Sequence, residues 1–259
     1  VNNIILTVGD SGSAVNFIRN LITLDDSVHW PHVELPKLEY ISKTAYPKTL
    51  KNNLHGWLGK EYQLRNWERV YGIDVSNDST DEYKTVITEQ VKSWLKTHHV
   101  TFMVHWLNVA RSILHETPDA RVITISPDTT LGFQWQIRAF IEKCGIDHVP
   151  NYTFKNDIEH EKQQFIKDNG IDVYRKTNAE NMYHIIQSRI GQYKFFGQSF
   201  GLALNLEELF TESAFKKLVE KINNHCGINI NIVDAIQLRE SWWRLHWPLE
   251  ETGDYKWLP

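Results

Sequence analysis

The sequence predicts an α/β protein with a mostly parallel central sheet and helices on both faces. Three observations lead there. Runs rich in β-branched residues recur at Ile4–Val8, Val100–His105 and Arg121–Ser126, with little polar alternation, as expected of strands buried on both faces. Each run is followed by residues whose apolar positions repeat at helical spacing, and right-handed crossovers between such strands leave few topologies besides a parallel sheet. With 259 residues, 41% hydrophobic and 23% charged, the chain has the composition of a globular protein and can bury about 75% of its unfolded surface.

The first strand, Ile4-Ile5-Leu6-Thr7-Val8, ends at Gly9, and Gly9-Asp10-Ser11-Gly12-Ser13 is turn chemistry. Apolar residues at 14, 15, 17, 18, 21 and 22 then form the stripe of an amphipathic helix. Residues 25–81 are aromatic and turn-rich, with Pro31, Pro36 and Pro47 interrupting any long periodic element; an irregular lid or cover over the core is expected there. Tyr83, Val86, Ile87, Val91, Trp94 and Leu95 predict a helix between 81 and 97. His98 and His99, which follow it, are expected at the surface. After the strand at 100–105 come a helix over 108–115, the strand at 121–126 and a strongly apolar helix over 131–143. The polar stretch from 145 to 180 is expected to carry an exposed helix over 158–169. Of two short apolar runs, 194–196 and 202–206, one is expected to be a late strand. Phe215, Leu218, Val219 and Ile222 mark a helix over 213–225, capped by Gly227. No internal repeat or low-complexity tract divides the chain, so residues 1–259 are expected to form one domain.

A net charge of −4 and a pI near 6.3 make nucleic acid an unexpected partner while still allowing a local basic cleft for a small anion. Cys144 and Cys226 stand 82 residues apart with no Cys or His at ligand spacing around them, which supports neither a disulfide framework nor structural zinc. The apolar runs are strand-sized, short of the roughly 20 residues that span a bilayer, and no basic region precedes the first of them. A soluble, cytoplasmic protein without a transmembrane segment is expected. Four of the ten tryptophans (Trp242, Trp243, Trp247, Trp257) fall in the last eighteen residues, predicting a packed terminal segment.

The loop after the first strand carries the chemistry. A glycine-containing turn from a buried strand into a helix aims backbone N–H groups and the positive end of the helix dipole at one spot, which suits an anion. Small side chains at Ser11, Gly12 and Ser13 let a phosphate approach that backbone, and Ser11 and Ser13 each add a hydroxyl. A tight turn with a serine cap is the other reading. The loop lacks the Lys-Ser/Thr pair of a Walker A motif, so ATP or GTP hydrolysis is disfavoured.

Thr7-Val8-Gly9-Asp10-Ser11-Gly12-Ser13-Ala14 resembles the 5′-phosphosulfate loop of the sulfotransferases, in which a basic residue precedes Ser-Gly and two small hydroxylated residues. Val100–His105 resembles the strand that ends in that family's catalytic histidine, and His105 lies twenty-one residues before Ser126. Arg121–Gln134 resembles the strand, loop and helix that bind the nucleotide 3′-phosphate. Leu206-Glu207-Glu208-Leu209-Phe210, with the following helix and Gly227-Ile228, is similar to the segment that closes many bacterial members.

The resemblance implies a P-loop NTPase-like sulfotransferase architecture. It also implies 3′-phosphoadenosine 5′-phosphosulfate as donor and a hydroxyl or amine of a small molecule, glycan or lipid head group as acceptor. Gly9, Ser11, Gly12, Ser13 and Ala14 would hold the donor, Ser126 and Arg138 would lie at its 3′ side, and His105 would take the acceptor proton. The chain departs from the pattern at Asp10, where the family has a base, at Ser126, where it has an arginine, and at Gln134, where it has a serine. Either other cations substitute, Arg19, Arg121 and Arg138 being nearest in sequence, or the fold is kept in a non-catalytic binding protein whose donor site is altered or lost.

Other groups have two readings each. His105 is a general base or a structural histidine beside Trp106. Asp128 is the N-cap of the helix that follows or a contact to ribose or acceptor. Asp10 is itself a base, or binds a metal with Ser13, although a single carboxylate makes a poor cation site. Arg239–Pro248, with two arginines, a histidine and three tryptophans, either stacks on a purine or packs the end of the chain onto the body.

Overall fold

The computed structural model describes residues 3–10, 12–29, 89–105, 107–144 and 158–246. Ser11, the lid segment from residue 30 onward, Trp247 and Trp257 lie outside the described residues. In chain order the elements are β1 (Ile4–Val8), α1 (Val15–Ile22), β2 (Val28–His29), α2 (Glu89–Trp94), β3 (His99–Val104), α3 (Leu107–Glu116), β4 (Arg121–Ser126), α4 (Thr130–Cys144), α5 (Ile158–Asn169), α6 (Ile171–Phe200) and β5 (Gly201–Asn205). A 3₁₀ turn (Leu206–Leu209), α7 (Glu212–Cys226) and α8 (Ile232–His246) complete them.

The five strands form one sheet in the order β2-β3-β1-β4-β5, and each neighbouring pair is parallel. β1 lies at the centre, with Ile4 beside Val100 and Ile5 beside Arg121. Because side chains alternate along a strand, the two faces of the sheet carry separate cores. Ile5, Met103, Ile123, Ile125 and Leu204 face α1, α7, α8 and Trp135 of α4. Ile4, Leu6, Val8, Val100, Phe102 and Val104 face α3 and the Tyr193–Phe196 turn of α6. All five residues of β1 are buried, which is why the strand is apolar but for Thr7, whose hydroxyl donates to the Phe102 carbonyl at 2.8 Å. Among the described residues no helix is long and apolar enough to cross a membrane.

Several expectations need correction. His99 is a buried β3 residue whose Nδ1 accepts the Asn3 amide at 3.1 Å; the strand begins earlier than the apolar run. Of the two short apolar runs one is the late strand, as expected: 202–205 lies in β5, while 194–196 belongs to α6. α6 spans 30 residues, about 45 Å of helix, over a stretch where no long helix was expected. α7 does end on Gly227, at φ 69°, and Thr211 caps its start by accepting the Ala214 amide at 3.3 Å. The terminal segment is helical: Trp242 is buried against Phe17 and Trp135. Arg239 donates to the carbonyls of Leu209 and Phe210, each at 2.7 Å, so its described contacts serve packing.

Candidate functional site

A parallel sheet brings all its strand ends to one edge. After β1 the chain turns to α1 on one face, and after neighbouring β3 it turns to α3 on the other. Adjacent connections thus diverge at the carboxyl ends of β1 and β3, the usual ligand position in open α/β sheets. Gly9, Gly12, Ser13, Ala14 and His105 come together there.

The β1–α1 loop is tightly built. The Gly9 amide donates to the Val104 carbonyl at 3.3 Å, closing the loop onto β3. A Cβ on Gly9 would lie 2.5 Å from Ser13 Oγ and 3.1 Å from the Ile125 carbonyl oxygen, so only glycine fits. Gly12 has φ 82°, and Ala14, the N-cap of α1, holds φ 62° and ψ 17°, a left-handed conformation costly for any residue with a Cβ. The amides of Val15, Asn16 and Phe17 head α1, ahead of its first intrahelical bond from Ile18 to the Ala14 carbonyl at 3.1 Å. Ser13 is almost fully buried, and both its amide (3.1 Å) and its hydroxyl (2.7 Å) donate to the Asp10 carbonyl. Ser13 therefore closes the turn on itself in this conformation.

His105 Nδ1 lies 2.8 Å from the Gly9 carbonyl. A carbonyl only accepts, so Nδ1 carries the proton and Nε2 holds the lone pair of the neutral ring. Nε2 is buried. The loop thus fixes the tautomer in which this histidine can take a proton at Nε2. The His105 carbonyl in turn accepts the hydroxyl of Tyr193, from α6.

Asp10 is buried to 8% exposure, and Arg189 of α6 approaches it, Nη1 to Oδ1, at 3.6 Å. Burial would be costly for an unpaired carboxylate, and the guanidinium offsets it. Neither Arg189 nor Tyr193 was singled out in the sequence. They stand four residues apart, hence on one helix face, but nothing local tied them to a loop some 180 positions earlier.

The neighbouring loop, after β4, is organised differently. Ser126 ends β4, buried, in register with Asn205 of β5. Asp128 is not the helix cap. Thr129 caps α4: its hydroxyl accepts the Gly132 amide at 3.2 Å and its carbonyl the Phe133 amide at 3.0 Å. Asp128 instead turns outward to Lys194 and Asn205, because its position before the helix is taken by another anion. Glu207 accepts the amides of Asp128 (2.9 Å) and Thr129 (2.6 Å) and the Thr129 hydroxyl (2.7 Å). The segment likened to a 3′-phosphate site thus holds the chain's own carboxylate, where helix dipole and amides favour negative charge.

The other cations considered lie apart. Arg138 is two turns into α4, about 12 Å along its axis from Thr130. Arg121 begins β4, at the opposite edge of the sheet. Arg19 is fully buried and donates to the side chains of Asn16 and Asn20; desolvation lowers its pKa to about 9. Among the described residues no group of three or more His, Cys, Asp or Glu is placed to hold a metal ion. The chain matches no protein-family model, no curated protein and no solved structure.

Proposed function

We propose that this chain is a sulfotransferase-type α/β protein that moves a sulfuryl group from 3′-phosphoadenosine 5′-phosphosulfate to a hydroxyl or amine. The observation that carries the reading is the bond from His105 Nδ1 to the Gly9 carbonyl, which joins a histidine in its basic tautomer to a glycine loop at the head of a helix. In this reading the amides heading α1 face the donor's 5′ oxyanions. The acceptor O–H or N–H proton passes to His105 Nε2 as the acceptor atom bonds to sulfur, and the bond from sulfur to the departing 5′-phosphate breaks. Positioning and charge stabilisation supply the acceleration. Ser13 joins the donor contacts only by releasing the Asp10 carbonyl.

A second reading, a non-catalytic anion-binding protein on the same fold, is favoured by one observation. Glu207 fills the α4 N-terminus, so a 3′-phosphate must displace a carboxylate to lodge there. Titration calorimetry with adenosine 3′,5′-bisphosphate separates the readings. Micromolar binding that weakens in Gly12→Val supports the first, whereas no binding at millimolar nucleotide rejects it. A His105→Ala variant is expected to bind the nucleotide normally and to lose sulfuryl transfer across a panel of hydroxyl and amine acceptors. Unchanged transfer would remove His105 from the mechanism.

A further inference from the structure

We infer that Arg189 is the cation that receives the ligand's oxyanion at the carboxyl ends of β1 and β3, and that Asp10 holds it there until the ligand takes it. This rests on the reading above and names the residue that supplies the charge its loop lacks. Where a sulfotransferase-type loop carries a base before Ser-Gly, this chain has Asp10. A carboxylate there repels an anionic donor, so a positive group must come from another element.

α6 provides it, and its placement is enforced. Tyr193 and Phe196 are buried in the core beneath α3, which sets the rotation of the helix. The Tyr193 hydroxyl donates to the His105 carbonyl, which sets its height against the end of β3. Arg189, one turn earlier on the same face, is thereby brought to the first loop. Its contact with Asp10, at 3.6 Å, is longer than the roughly 2.7–2.9 Å of a charge-assisted hydrogen bond. At that separation this contact is an ion pair, weaker than the two-pronged geometry a guanidinium makes with a well-placed oxyanion.

Exposure makes an exchange feasible. The Arg189 side chain keeps 32% of its surface and that of Asp10 only 11%. The Arg189 side chain is thus open to an anion from solvent to a degree that the Asp10 carboxylate is not. Asp10 then acts in two ways: it keeps Arg189 over the loop in the ligand-free protein, and it competes with the ligand for that cation. Affinity is set by the difference between the two partners.

The test is calorimetric titration of adenosine 3′,5′-bisphosphate into the full chain and into Asp10→Asn, Arg189→Lys and Arg189→Ala. Asp10→Asn keeps the shape and removes the competing charge, so binding is expected to tighten by about tenfold. Arg189→Ala is expected to weaken it by about ten- to hundredfold, and Arg189→Lys by less, because charge survives without the fork. Should Arg189→Ala fail to fold, Arg189→Gln takes its place. If the unaltered chain binds and the Arg189 variants bind equally well, the inference fails while the proposed function stands. An Asp10→Asn variant that binds more weakly overturns the exchange. If the unaltered chain does not bind at millimolar nucleotide, the proposed function falls and the inference, which rests on it, falls with it.

Discussion

A Cβ on Gly132 would overlap the carboxylate of Glu207, standing 2.5 Å from its Cδ and 3.2 Å from its Cγ. The glycine is thus the space into which Glu207 reaches to bind the amides just ahead of α4. This predicts a change of sign between two backgrounds. In an ordinary helix Gly→Ala stabilises by about 1 kcal/mol. Here Gly132→Ala pushes Glu207 off the amides of Asp128 and Thr129, and hydrogen bonds to a charged group are worth about 1.5–3 kcal/mol; against the propensity gain, a net loss of about 1 kcal/mol is expected. In a Glu207→Ala background the same substitution is expected to stabilise by about 0.5–1 kcal/mol. Urea denaturation of the four proteins measures both values, and equal effects in both backgrounds would refute the coupling.

That contact also shows what a linear reading could reach. β1, β3 and β4 were legible because strands buried on two faces admit almost no polar residues, and the loop after β1 was legible because Gly9, Gly12 and Ser13 sit together in sequence. The roles of Glu207 and Arg189 were not, since each acts on a loop far away in sequence; Glu207 lies in a segment singled out for another reason, and Arg189 in none. α6 escaped notice for a different reason. Its buried positions include Tyr174, Asn178 and Gly197, while Val173, Phe195 and Phe200 are exposed, so the apolar stripe that marks a helix is blurred. The nearby apolar triplet 194–196 was consequently open to reading as a strand. The terminal helix α8 was anticipated as a packed segment because tryptophans crowd there, but its helical form was not.

Acid is expected to weaken the fold in two stages. Burial holds both His99 and His225 below their ordinary values, in His99 against the pull of Asp25 and in His225 against a hydrogen bond with the Val122 backbone. The folded state therefore binds fewer protons than the unfolded state below about pH 6.5. Their contribution is complete above that pH and is lost as pH falls toward the folded values. Asp25 acts lower. Burial raises its pKa, but hydrogen bonds from the Ser27 hydroxyl and the amides of Asn229 and Ser27 outweigh this and hold it below the usual carboxylate range. Its contribution disappears only below about pH 4. Urea midpoints should drop between pH 7.5 and 5.5, and less so in a His99→Gln, His225→Gln protein. A flat midpoint over that interval would contradict the assignment.

Cys226 is expected to report global unfolding. It is buried among α7 and α8 residues, and burial pushes its thiol up to about 12. At pH 8 only about one molecule in ten thousand carries the reactive thiolate. In a Cys144→Ser background the folded protein should resist a thiol reagent, and labelling should rise with urea in step with loss of helical signal. Rapid labelling without urea would place Cys226 at a locally opening surface.

The strain at Ala14 yields the last prediction. The loop must turn sharply from β1 into α1, and Gly12 and Ala14 do so with φ of 82° and 62°. Glycine at 14 would adopt that conformation without the roughly 1–2 kcal/mol that a left-handed Cβ costs, although it gives back part of the gain through a freer unfolded chain. Ala14→Gly is therefore expected to stabilise by up to about 1 kcal/mol, opposite in sign to Ala→Gly inside a helix. Ala14→Val, β-branched at positive φ, is expected to destabilise by more than 1 kcal/mol. Measured together with bisphosphate affinity, the pair separates two roles for the strained turn. If Ala14→Gly is more stable and binds equally well, the strain is incidental to the path of the chain. If it is more stable and binds more weakly, alanine at this position keeps the turn rigid around its ligand, and the stability forgone is linked to function.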